Sequence, residues 1–194
     1  IKSEESANDS FNLVYAGGIT PARGLATVVE AIALLPTEFK TTFTFTVCGT
    51  GSYESEIRAL ASELKVIDQI DFRGWVKQSE VFEFISKGNA SIIPHYRSVQ
   101  NDCSSPNKLY QYMLVGKPVI SSNCKSLERV IKETSSGLIY ENKSADELAE
   151  RLQELISDKE LQAQLGQNGR NAVLNQYNTK VEGQSLIKTY EKLV

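Results

Sequence analysis

The sequence predicts an α/β fold in which a parallel, doubly wound sheet of about six strands carries helices on both faces. Short β-rich segments alternate with helix-length amphipathic segments along most of the chain, which is the pattern of repeated strand–helix–strand units. After Tyr140 the pattern is helical only, with three helices expected up to the C-terminus. With 41% hydrophobic and 23% charged residues, the 194-residue chain has the composition of a globular domain that can bury a core.

The strand candidates are short segments rich in β-branched and aromatic residues and bounded by Gly, Pro or polar residues. In chain order they are residues 11–17, 42–49, 69–74, 90–94, 117–121 and 137–140.

Helix starts are predicted from capping signals. Thr20 followed by Pro21 reads as the N-cap and first residue of the first helix, whose apolar stripe is Leu25, Val28, Val29 and Ile32. Three later pairs have the spacing of a capping box and predict the starts of the three C-terminal helices: Ser144 with Glu147, Ser157 with Glu160, and Thr179 with Glu182.

Composition excludes several classes of function. The chain has 21 Lys and Arg against 24 Asp and Glu, a net charge of −3, which argues against a nucleic-acid or membrane-surface binder. Its cysteines, Cys48, Cys103 and Cys124, form no CxxC pair, so neither a zinc site nor a disulfide framework is expected. Residues 1–10 are almost entirely polar and are interpreted as the remnant of an interdomain linker.

Loops after the first two strands are candidates for holding a phosphate group. Residues 17–24 combine the pair Gly17 and Gly18 with Arg23, whose guanidinium can donate two parallel hydrogen bonds to phosphate oxygens. An ordinary tight turn with a solvated Arg explains this loop equally well. The Gly49–Gly51 turn is a weaker signal, because such turns are common in α/β folds for geometric reasons alone.

A stronger signal lies at residues 104–116, where a polar Ser-Ser-Pro-Asn segment opens a helix that ends at Gly116. The first-turn amides of a helix lack intrahelical partners and carry partial positive charge, so a pyrophosphate is a natural occupant. Lys108 adds a full charge in that first turn. The alternative is a simple cap with a surface lysine.

The string SPNKLYQYM at residues 105–113, followed by GKPVI at 116–120, resembles the signature of family 4 retaining glycosyltransferases. It is most similar to the subgroup that reads Pro-(Asn/Ser)-Lys-Leu-Phe-Glu-Tyr-Met, which is common in bacterial capsule, O-antigen and exopolysaccharide synthesis. The resemblance covers essentially the whole chain, including the glycine loop at 15–25 and the Phe-Arg-Gly-Trp-Val segment at 72–76.

The resemblance implies a GT-B enzyme, in which two Rossmann-like domains face each other across a cleft. This chain matches the C-terminal domain, so residues 11–194 are expected to bind the nucleotide sugar, while the N-terminal acceptor domain is absent. Trp75 and Val76 would meet the base, Gln111 the ribose, and the glycine loops and the helix start the diphosphate. The expected donor-binding residues are Gly17, Gly18, Arg23, Gly49, Gly51, Trp75, Val76, Ser105, Asn107, Lys108, Leu109 and Gln111.

By the same resemblance, the full-length enzyme would transfer a hexosyl group with retention to a glycan or lipid-linked acceptor in surface polysaccharide synthesis. The isolated fragment is expected to be inactive. A UDP-sugar is the first expectation for the donor and GDP-mannose the second, with no metal and no other cofactor. The expected location is cytoplasmic or peripheral at the inner face of the membrane, with no nucleic acid as a partner.

The sequence departs from the family pattern at Cys103 and Gln111, where the family typically has two Glu residues, and at Gly18, where it has Arg. Arg23 stands where the family has Lys. These departures keep open a noncatalytic module that binds a nucleotide or a partner protein. A GT-B nucleotide-sugar epimerase is disfavoured by the Pro-Asn-Lys-Leu string. His95 follows the fourth strand and is a candidate either for catalysis or for shaping the pocket.

Overall fold

A computed structural model describes residues 10–191 of the chain. All six predicted strands are present and form one parallel sheet in the order β3-β2-β1-β4-β5-β6. The strand order reverses between β1 and β4, the position at which doubly wound folds bind ligands. The strands are β1 Phe11–Ala16, β2 Phe43–Cys48, β3 Ile70–Gly74, β4 Ala90–Ile93, β5 Val119–Ser122 and β6 Gly137–Tyr140.

Helices connect the strands, and the last three follow β6, which confirms the predicted helical C-terminus. Two 3₁₀ turns also occur, at Pro21–Arg23 and Ile67–Gln69. The helices are α1 Leu25–Leu34, α2 Thr37–Lys40, α3 Glu54–Glu63, α4 Gln78–Lys87, α5 Val99–Cys103, α6 Asn107–Val115, α7 Lys125–Thr134, α8 Ala145–Ser157, α9 Lys159–Asn175 and α10 Thr179–Tyr190.

The core forms two layers, one on each face of the sheet. On one face α1, α3 and α8 bury residues such as Val28, Ile57 and Leu148. On the other face α4, α6, α7 and α9 bury residues such as Ile85 and Leu109. Because both faces are covered, the central strands β4 and β5 are buried at every residue rather than at alternate ones.

The predicted start of the first helix is wrong. The four apolar positions of the predicted stripe are all buried, but α1 begins only at Leu25. Thr20 and Pro21 instead open the separate 3₁₀ turn, and the Thr20 side chain makes no capping hydrogen bond. Gly24 separates the two segments with a positive φ of 70°, and a side chain there would collide with the carbonyl oxygen of Pro94. A tertiary contact therefore interrupts the helix that the local pattern favours.

The predicted N-cap residue is right at Ser144 and displaced by one residue in the other two C-terminal helices. Ser144 Oγ accepts a hydrogen bond from the Glu147 amide at 3.2 Å, although the Glu147 carboxylate turns to the Glu141 amide instead. The other two helices are capped by the neighbouring residue, Asp158 in place of Ser157 and Asn178 in place of Thr179. Asp and Asn cap at least as well as Ser and Thr, so the adjacent residue competes successfully.

The predicted linker lies outside the described residues except for Ser10. None of the helices found between residues 10 and 191 combines the length and the apolar character needed to cross a membrane.

Candidate functional site

A cavity of about 510 Å³ opens at the carboxyl edge of the sheet, between the ends of β1, β2 and β3 and the start of α6. Its volume is in the usual range for small-molecule sites. Nine of the twelve donor-binding candidates line it, so distant parts of the sequence converge as the resemblance implies. They are Gly17, Gly18, Arg23, Gly49, Trp75, Val76, Asn107, Lys108 and Gln111.

Three candidates lie outside the cavity lining. Gly51 packs against the backbone of Ile19, where a side chain would collide with the carbonyl oxygen. Ser105 is exposed, and its hydroxyl hydrogen-bonds the Tyr110 hydroxyl at 2.8 Å. The Leu109 side chain is fully buried in the core beneath α6.

Sequence reasoning missed several lining residues, among them Thr50, Gln78 and Pro106. Each is within two residues of a predicted candidate. Thr50 and Gln78 lie in the segments that follow β2 and β3, and Pro106 directly precedes α6. The rule that parallel strands present their carboxyl ends at one edge could have found them.

The loops that follow β1 and β2, which contain Gly17 and Gly49, line the cavity and pack closely against each other through their backbones. The Gly17 amide donates to the Cys48 carbonyl at 2.8 Å, and the Ile19 amide donates to the Thr50 carbonyl at 3.0 Å. Gly49 has a φ of 144°, and a Cβ there would collide with the carbonyl oxygen of Gly17. Only glycine at this position permits so close an approach.

Helix α6 is anchored so that its first turn points at these loops. Leu109, Tyr112 and Met113 lie on one helix face and are fully buried. The Tyr112 hydroxyl reaches the end of β1, where it accepts a hydrogen bond from the Ala16 amide at 2.9 Å. With that face turned to the core, Lys108 and Gln111 are left on the side of the cavity.

Lys108 is the partly buried cation of the site. Its Nζ lies 4.3 Å from the centroid of the Tyr15 ring, a cation–π arrangement. No carboxylate of residues 10–191 lies within ion-pair distance of it. Burial first, and then the nearby charge of Arg23, lowers the pKa of Lys108 to about 7.

Arg23 is the second cation, and it points across the site toward the end of β4. Its Nη1 lies 3.1 Å from Nε2 of His95 and 3.4 Å from Nδ1 of the same ring. His95 is only 2% exposed and does not line the cavity. Burial, followed by the charges of Lys108 and Arg23, lowers the pKa of His95 to about 3, so the ring is neutral at physiological pH.

The far end of the cavity is more apolar and open. Trp75 follows β3 and is 72% exposed, which leaves its ring available as a wall for a flat ligand group. Val76 and Val81 line the same end. Gln111 also lines the cavity, where its carboxamide can both donate and accept hydrogen bonds.

A second, more polar cavity of about 380 Å³ adjoins the first beyond Arg23. Arg23 and Pro106 line both cavities, and Ser98, Asn101 and Ser104 line only the second. Its wall is braced by an ion pair in which Arg97 Nη2 lies 2.9 Å from an Asp102 carboxylate oxygen.

Taken together, the geometry defines a site for an elongated anion. Two cations and a helix N-terminus meet at the switch point of the sheet, an apolar wall lies at one end, and a polar cavity lies at the other. Within the described part of the chain, no group of three or more His, Cys, Asp and Glu residues is placed to hold a metal ion.

Comparison with known families agrees with this geometry. The profile of the glycosyl transferases group 1 family matches residues 1–172, and the chain therefore belongs to that family. Its fold is the α/β, Rossmann-like domain of which GT-B glycosyltransferases contain two.

Individual relatives are distant in sequence and close in fold. The amylovoran biosynthesis glycosyltransferase AmsK of Erwinia amylovora is 21% identical over 194 residues, which is 100% of this chain and 47% of the relative. The crystal structure of Anabaena HepE in complex with UDP superimposes with a TM-score of 0.83 at 15% identity, covering 95% of this chain and 49% of that one.

A third structure matches along most of its own length. The C-terminal domain of the group 1 glycosyl transferase LpcC from Francisella tularensis has a TM-score of 0.75 at 19% identity, covering 87% of each chain. By contrast, the chain spans about half the length of the curated relatives it matches.

Proposed function

We propose that the chain is the nucleotide-sugar-binding domain of a retaining, family 4 glycosyltransferase of the Pro-Asn-Lys-Leu subgroup. One observation carries the proposal: nine of the twelve residues expected to bind the donor, drawn from four separate segments, line one cavity at the switch point of the sheet. The full-length protein would transfer a hexosyl group to a glycan or lipid-linked acceptor in surface polysaccharide synthesis. Its place would be the cytoplasm or the inner face of the membrane.

A UDP-sugar is the donor we favour, with GDP-mannose second. The HepE crystal structure, which shares this fold, is a complex with UDP. In our proposal the base lies against Trp75, the ribose meets Gln111, and the diphosphate lies between Lys108 and Arg23.

Chemically, the oxygen of an acceptor hydroxyl bonds to the anomeric carbon while the bond from that carbon to the diphosphate oxygen breaks, and the hydroxyl proton passes to the departing diphosphate. The leaving nucleoside diphosphate gains negative charge in the transition state. In the proposed complex, Arg23, Lys108 and the first-turn amides of α6 lie around the leaving diphosphate and stabilise that charge. We propose that these groups act without a metal ion.

A noncatalytic module that binds a nucleotide or a partner protein is the second candidate. The observation that favours it is the absence of a carboxylate at Cys103 and Gln111, where the family typically has Glu. Cys103 is exposed beside the polar cavity, and Gln111 cannot accept a hydrogen bond from ribose as strongly as a carboxylate does. Failure to bind any nucleoside diphosphate would favour this second candidate. If a nucleotide does bind, sugar transfer by the full-length protein distinguishes the two.

The test is calorimetric titration of the chain with UDP, GDP and ADP, repeated on Arg23→Ala. We expect binding of one nucleotide, weakened at least tenfold in the variant, because a hydrogen bond to a charged group contributes about 1.5–3 kcal/mol. Arg58→Ala is the matched control, since Arg58 lies on α3 and pairs with Glu54 away from the cavity. Failure of all three nucleotides to bind the folded chain would contradict the proposal.

A further inference from the structure

Arg23 lies at the boundary between the two cavities. It lines the cavity of Lys108 and also the polar cavity of Ser98 and Asn101. No carboxylate among the described residues forms an ion pair with it. An Arg side chain has several rotatable bonds, so a guanidinium without a carboxylate partner needs another contact to stay in one place.

The imidazole of His95 supplies that contact. A guanidinium has hydrogen-bond donors and no acceptor, so the 3.1 Å approach of Arg23 Nη1 to His95 Nε2 is a hydrogen bond only if that nitrogen is unprotonated. Burial and the charges of Lys108 and Arg23 hold the pKa of His95 far below its usual range. The ring therefore remains an acceptor.

His95 is itself fixed by the strand ends beneath it. Its carbonyl oxygen accepts hydrogen bonds from Ser122 Oγ at 2.5 Å and from Cys124 Sγ at 3.3 Å. The two loops are also joined directly, since the Tyr96 amide donates to the Ala22 carbonyl at 3.0 Å. The acceptor that faces Arg23 thus belongs to the rigid edge of the sheet.

We infer that His95 is a positioning residue, whose buried neutral imidazole accepts a hydrogen bond from Arg23 and holds the guanidinium toward the diphosphate of the donor. This inference rests on the proposed function. In this role His95 transfers no proton and does not contact the donor. The role is consistent with a buried histidine that does not line the cavity.

The test is a double-mutant cycle between His95 and Arg23, read as UDP affinity by calorimetry. We expect His95→Leu, which removes the acceptor at similar volume, to weaken binding about fivefold or more in the Arg23 background. In the Arg23→Ala background the same change should alter affinity less than twofold, because no guanidinium remains to be held. His95→Gln keeps an acceptor and should restore most of the affinity.

Each result has a defined meaning. Equal losses from His95→Leu with and without Arg23 would overturn the inference, since a general loss of packing acts in both backgrounds. Equal affinity of His95→Leu and the unmodified chain would overturn it as well. If the unmodified chain binds none of UDP, GDP and ADP, the proposed function fails and the inference fails with it. Chemical denaturation of every variant confirms that the compared proteins are folded.

Discussion

At the scale of single residues, the site depends on a cation held in surroundings that disfavour its charge. Lys108 lies against the Tyr15 ring and beside Gly17, where an added Cβ would collide with the lysine Nζ. The charged group that faces Lys108 is Arg23. The other titratable groups nearby are neutral at pH 7: His95, Cys48 and the hydroxyls of Tyr15 and Tyr112. A bound diphosphate would supply the missing negative charge and favour the protonated amine.

This arrangement predicts that nucleotide-sugar binding weakens as pH rises through about 7. The pKa of Lys108 is about 7 in the free site, and a diphosphate raises it, so binding takes up a proton above that pH. We expect the affinity for a UDP-sugar to fall between pH 6.5 and 8.5, by at most about tenfold per unit. The measurement is calorimetric titration across that range.

Lys108→Arg is the control, because its guanidinium stays charged throughout the range. The variant should bind with little dependence on pH. An equally steep dependence in Lys108→Arg would show that another group titrates, and a flat profile in the unmodified chain would contradict the assignment to Lys108.

At the scale of elements, capping residues and buried faces determine where helices start and how their first turns are directed. α6 starts directly after Pro106, and its buried face fixes the direction of its first turn. The C-terminal helices start at caps that the local sequence leaves ambiguous by one residue. The Leu161 amide donates a hydrogen bond to Asp158 Oδ1 at 2.8 Å, so the cap of α9 is Asp158 and not Ser157.

A pair of substitutions tests this cap. Asp158→Ala should lower the free energy of unfolding by about 1 kcal/mol, the usual contribution of a capping side chain. Ser157→Ala, at the exposed last residue of α8, should change it by less than about 0.5 kcal/mol. Urea denaturation measures both. The reverse ranking would mean that Ser157 is the cap, as the spacing alone predicted.

At the scale of the whole molecule, the fold brings Arg23, Lys108 and His95 to the carboxyl edge of the sheet and buries His95 there. The pKa of His95 is about 3 in the folded chain, whereas the pKa of a histidine in the unfolded chain is 6.5. Between these values the unfolded chain binds a proton that the folded chain does not. Stability contributed by this residue is therefore lost as pH falls from about 6.5 toward 3.

The corresponding prediction compares unfolding free energies of the unmodified chain and His95→Gln by urea denaturation between pH 7 and 4. Both proteins contain acidic groups that titrate in this range, so the difference between them is the informative quantity. The unmodified chain should lose up to about 1.4 kcal/mol more per pH unit below 6.5, because one additional proton is involved. Parallel curves would show that the buried imidazole is not protected from protonation.

Much of the fold was predictable because its signals are local and repeated. Strand segments, the apolar stripe of α1 and the end of α6 at Gly116 all depend on residues near one another in sequence, and the structure confirms them. The start of α1 was not predictable, since Gly24 is shaped by its contact with Pro94 seventy residues later. Local propensity carries no information about such a contact.

The candidate site divides in the same way. The sequence alone determined the α/β class and predicted which segments line the cavity at the carboxyl edge of the sheet, because strand ends, glycine loops and a helix start are recognisable from short motifs. Only the tertiary structure decided that Leu109 faces the core, that Lys108 lacks a carboxylate partner in the described part of the chain, and that His95 lies behind Arg23. Those facts depend on burial and on distances between residues that are far apart in the chain. Burial and distance fix the pKa values and the orientation of these side chains, and no local sequence pattern contains them.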